Sequence, residues 1–181
     1  ALDNDTVSGP KAGRSKTRVL TVFSEAEHHR KIIELEEKLL DRMVHVLADE
    51  LEAPLDSELR NQPAEEQLAI VTRHLPIAER GGELLTAFDE VLKELLFDKL
   101  TAEDVRRAIA NMRADLSGPL REKAELLSST RNGLVLKKPV LSYVWRHLSS
   151  HQGSVVEKLE QHILYLEDLL NTQRLKEAEE I

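Results

Sequence analysis

Residues 154–170 read SVVEKLEQHILYLEDLL, and the reading of this stretch decides the fold. Val156, Leu159, Ile163, Leu166 and Leu170 are spaced by three, four, three and four. A strand would repeat every second residue. These intervals instead keep the five side chains in one stripe along a helix, the seam by which one helix locks into another. Gln173 and Glu177 take the next two seam positions, so the stripe fades there. Such a helix either closes the chain's own bundle or docks onto a second copy or a different protein.

The rest of the sequence agrees with a helical fold. Of 181 residues, 41% are hydrophobic, 32% are charged and only 3% are aromatic. Sheet cores lean on β-branched and aromatic side chains, so this balance favours helices. The chain is long enough to bury a core without a metal or a disulfide. It contains no cysteine, which excludes disulfides, thiolate nucleophiles and cysteine-based zinc sites. The net charge is −8, so the surface as a whole repels a phosphate backbone. No apolar run reaches the length of a bilayer span and no signal peptide is read, so a soluble, cytoplasmic protein is expected. The chain starts at Ala1 without a methionine, which is compatible with a trimmed or processed form.

Punctuation residues divide the chain. Residues 1–23 read as an irregular arm, made basic by Lys11, Arg14, Lys16 and Arg18, and ending in the apolar run VLTVF. Ser24 and Glu27 form a capping box opening the first helix, which Pro54 ends. Pro63 suits a first helical turn, and Pro76 with Gly81 and Gly82 predicts a break before a helix over 83–100. Thr101 and Asp104 predict another cap. Ser117, Gly118 and Pro119 predict a further break, and Asn132 with Gly133 a stop. A helix from Val140 is expected to end at Gly153, with Ser154 and Glu157 capping the last one. The expectation is therefore an all-α multi-helix bundle of six to seven helices over 24–181. Two sub-bundles would divide near 117–139.

Several histidines are spaced as metal ligands can be. A hemerythrin-like centre needs a His-x-x-x-Glu pair, a His-x-x-x-His pair and a His-x-x-x-x-Asp pair aimed at one point. His45 with Asp49, His147 with His151 and His162 with Glu167 come in the right order. On a helical wheel, His147 and His151 fall within the apolar arc of Val140, Val144 and Leu148, whereas His45 and Asp49 point away from theirs. A ferritin-like centre needs Glu-x-x-His twice, and only Glu25 with His28 fits. His147 and His151 are thus the candidate ligands, with hydrogen-bonded histidines as the plainer reading, and no metal or cofactor is expected. His28 and His29 read as surface residues of a first turn. Phosphate-loop, dinucleotide, nucleophile-elbow and zincin motifs are absent.

What remains is a surplus of amphipathic helices without gathered reactive groups. The expected function is a non-enzymatic protein-binding module: a scaffold, adaptor or regulatory subunit. Its surface would be Trp145 with Val156, Leu159, Ile163, Leu166 and Leu170. The partner would be another protein or a second copy, and no small-molecule substrate is inferred. Two other classes stay open. One is nucleic-acid or anionic-membrane binding through the basic arm, or through Arg131, Lys137, Lys138 and Arg146. The other is a metal-dependent sensor or enzyme.

Overall fold

A computed structural model describes residues 24–179. The basic arm with Lys11, Arg14, Lys16 and Arg18, the VLTVF run and residues 180–181 lie outside them. Four long helices account for the fold: α1 (Glu25–Glu52), α2 (Ala64–Leu95), α3 (Glu103–Val135) and α4 (Ser142–Glu179). A short 3-10 helix, Ser57–Asn61, sits between α1 and α2. Each helix packs against the next and α4 returns to α1, an up-down-up-down ring.

The all-α bundle holds, with four helices among the described residues rather than six or seven. The difference lies at the breakers. Pro76, Gly81 and Gly82 lie inside α2, Ser117, Gly118 and Pro119 inside α3, and Gly153 inside α4. A proline within a helix costs about 3 kcal/mol and a glycine about 1 kcal/mol relative to alanine. The buried seam runs on in register across each of them. In α2 it passes Val71, His74, Ile77, Gly81, Leu84 and Phe88, and in α3 Met112, Leu116, Leu120 and Leu127. Burying each large side chain contributes roughly 1.5–3 kcal/mol, so several seam residues on either side outweigh one breaker. Gly81 also has a packing reason, since a Cβ there would lie 2.8 Å from Cδ2 of Leu120.

The caps show what local signals captured. The Ser24 side chain accepts from the Glu27 N–H at 3.3 Å, so the predicted start of α1 is real. The Thr101 box does not form. Ala102 is the N-cap of α3, and Thr101 Oγ1 donates to Asp98 instead. Ser154 and Glu157 are interior to α4, so they cap nothing. Helix α3 ends two residues beyond Gly133. The Lys138 N–H bonds to the Gly133 carbonyl and the Lys137 N–H to that of Leu134, both at 2.9 Å, a Schellman closure. Its left-handed residue is Lys137, with φ 55°, and not the glycine.

Two apolar clusters fill the bundle. The larger runs from Ile32 and Ile33 to Val46 on α1, and includes Phe88, Val91, Ile109, Met112, Val155 and Leu166. The smaller holds Leu55, Val71, Leu127, Leu134, Trp145 and Leu148. The division expected near 117–139 does not interrupt the helices, because α3 is continuous to Val135. The core does change character within that span, between Leu120 of the larger cluster and Leu127 of the smaller, at a polar layer.

Candidate interaction surface

That layer takes one side chain from each helix: Glu50, His74, Lys123 and Gln152, all nearly inaccessible to solvent. Lys123 Nζ donates to Glu50 Oε1. Gln152 Nε2 lies 3.0 Å from the Glu50 carboxylate and from the Glu50 and Ala53 carbonyls, while its own oxygen accepts from the Leu55 N–H at 2.6 Å. Burial pushes the Lys123 ammonium below its usual range, and the Glu50 charge holds part of that shift back. Burial, with the Lys123 charge beside it, pushes the His74 imidazole down to about 4. A carboxylate, an ammonium and an amide that satisfy one another in this way align α1, α3 and α4 to one level. Any slip of register would strand a buried charge.

A second polar cluster closes the end where α1 starts. His29 Nδ1 lies 2.8 Å from Asp98 Oδ2, and the Leu100 N–H donates to Asp98 Oδ1 at 3.0 Å. Burial raises Asp98, but the hydrogen bonds from Thr101, His29 and Leu100 outweigh it and hold the carboxyl below its ordinary range. His28 lies within 3.4 Å of the Glu94 carbonyl. Both histidines are therefore largely covered by the α2–α3 turn, which corrects the expectation of first-turn surface residues. Glu36, deep in the same end, is pushed up to about 7 by burial.

The predicted site residues land as follows. Trp145, Leu159, Leu166 and Leu170 are buried in the chain's own core, and Ile163 packs against it. The fully buried neighbour at the seam is Val155, with Val156 only half-buried. The seam thus closes the bundle and is not exposed for a partner. His147 does not point inward. It is exposed, with its ring centroid 5.9 Å from Tyr143 and 6.2 Å from His151, whose Nδ1 meets Glu122 at 3.3 Å. His45 is exposed and bonded to the Asp41 carbonyl, while His162 faces Asp115 at 3.3 Å. Among the described residues no three His, Asp or Glu side chains are arranged to hold a metal ion.

Sequence reasoning missed the buried polar groups. Their signal was available: Ile32, Glu36, Leu39, Met43, Val46 and Glu50 repeat at four, three, four, three and four, with two glutamates at core positions. It also missed where apolar surface stays uncovered. In the α3–α4 connection Val135, Leu136, Leu141 and Tyr143 are 50–66% exposed, within nine residues of chain. Arg131, Lys137, Lys138 and Arg146 lie within a few residues of them in the chain, exposed and without an ion pair among the described residues. A groove lined by Leu126, Ser129, Tyr143, His147 and His151, with Glu122 and Glu125 on the same wall, runs along the α3–α4 face. Among the described residues no helix is long and apolar enough to cross a membrane. Compared with protein-family models, curated proteins and solved structures, the chain matches none of them.

Proposed function

We propose that the chain is a non-enzymatic interaction module that docks a protein partner at the α3–α4 end of its bundle. The observation that carries this is the uncovered cluster of Val135, Leu136, Leu141 and Tyr143. Apolar side chains gathered in one patch are stabilised by being covered, and a cationic rim selects what covers them. The matching surface is apolar at its centre and acidic at its edge. Leu134, Trp145 and Leu148 of the smaller cluster back this end, so docking orders few further side chains and loses little entropy.

An anionic membrane surface is the second reading, favoured by the same four cations beside exposed leucines. Added salt separates the two, because lipid attraction through cations weakens steeply with ionic strength and apolar docking does not. The test uses the wild type and the variant Leu136→Asp with Leu141→Asp, both positions being exposed. A partner held from the native lysate at high salt by the wild type and lost by the variant supports the docking reading. Equal retention by both proteins refutes it. Sedimentation with phosphatidylserine vesicles only at low salt shifts the assignment to the membrane.

A further inference from the structure

The opposite end of the bundle carries a recess that the docking reading does not use. Its cavity, of about 220 Å³, is walled by the start of α1, the α2–α3 turn, the first turn of α3 and the end of α4. At roughly 30 Å³ per water in the liquid, that is the space of about seven waters, enough for a small organic molecule. Leu100 and Val105 supply an apolar wall, while His29, Arg30, Gln173 and Lys176 supply the polar one.

Three features give this recess a chemical preference. First, its charge is one-sided. Arg30 and Lys176 line it, both exposed, and among the described residues neither is in an ion pair and no carboxylate lines it. In a chain of net charge −8, two unpaired cations around one hollow make a local seat for an anion. Second, the histidine is held in one orientation. Asp98 is ionised and accepts only, so His29 Nδ1 carries the proton, and Nε2 is the nitrogen left for a ligand. Asp98 is itself 1% exposed and bonded by Thr101 and Leu100, so its charge is spent away from the recess. Third, the Gln173 side chain hydrogen-bonds to the Glu36 carboxyl, and its Oε1 is buried without a partner among the described residues. A buried amide oxygen left so costs about 1–3 kcal/mol, which a donor on a bound molecule would recover.

We propose that this recess binds a small hydroxy acid with a compact apolar body. The carboxylate lies between Arg30 and Lys176, the hydroxyl donates to Gln173 Oε1, and the hydrocarbon part rests on Leu100 and Val105. A phosphate dianion suits it less well, because an apolar wall takes the place of further donors.

Mandelate is the probe, with phenylacetate lacking the hydroxyl and mandelamide lacking the charge, and inorganic phosphate as a fourth arm. Each is titrated into the full chain and followed by amide chemical shifts. The expected result is saturable binding of mandelate, with shifts centred on His29, Thr101, Val105 and Gln173. Loss of the hydroxyl or of the charge weakens binding about tenfold, corresponding to about 1.4 kcal/mol each. The double variant Arg30→Gln with Lys176→Gln loses mandelate binding at unchanged melting temperature, since both side chains are exposed. No saturable response overturns the proposal. So does mandelamide or phosphate binding as well as mandelate, or undiminished binding by the double variant.

Discussion

Replacing Lys123 by methionine tests the polar layer. Lys123 and Glu50 are 1% exposed or less at their side chains, and their charges meet no water. Removing the ammonium leaves the Glu50 carboxylate with Gln152 Nε2 as its remaining donor, at 3.0 Å. Breaking a buried pair from one side costs about 3–5 kcal/mol, because the surviving charge keeps its desolvation penalty. In a chain of this size each kcal/mol moves the melting temperature by roughly 2–4 °C, so Lys123→Met should melt on the order of 10 °C lower. The loss shrinks as the pH falls, because a stranded carboxylate escapes by taking up a proton. The paired variant Glu50→Met with Lys123→Met removes both charges. Gln152 keeps the Glu50 and Ala53 carbonyls and the Leu55 N–H, all backbone groups. The double variant should therefore unfold within about 1 kcal/mol of the wild type, giving a coupling of at least about 2 kcal/mol. Urea unfolding followed by Trp145, the chain's single tryptophan and fully buried, measures all four corners of the cycle. A Lys123→Met variant as stable as the wild type, or a double variant whose loss equals the sum of the singles, would refute the reasoning.

Two further outcomes follow from the same core. Glu36, raised to about 7 in the folded chain, takes up its proton more readily there than in the unfolded one, so its contribution is complete below pH 4.5 and lost as pH rises through 7. His74, lowered to about 4, behaves oppositely: its contribution is present above pH 6.5 and lost as pH falls through 4. Glu36→Gln should therefore gain on the order of 3 kcal/mol over the wild type at pH 8 but little at pH 4.5, as read by thermal melts at the two pH values. Neighbouring glycines should respond with opposite sign. Gly82→Ala meets nothing within 4 Å and stabilises by about 0.5–1 kcal/mol, whereas Gly81→Ala drives a methyl into Leu120 and costs about 1–3 kcal/mol. Urea midpoints that move together would show that α2 and α3 are not in close contact at that point.

The sequence by itself determined the helical class, the first cap at Ser24 and the stripe that faces the core. Those follow from periodicity and from hydrogen bonds three residues apart, both local. Tertiary structure decided how many helices there are. Pro76, Pro119 and Gly153 carry local costs that favour breaking the helix, and only the core on either side, built from distant segments, supplies enough burial to exceed them. It also decided which polar residues matter. Lys123 meets Glu50 across 73 residues of chain, and Gln152 meets it across 102, distances over which no spacing in a sequence reports a contact. The seam of α4 was readable as apolar, but what covers it is settled by the other three helices. They bury Trp145 and Leu159 within the chain and leave Leu136 and Leu141 outside, because apolar groups are covered only where another helix can reach them.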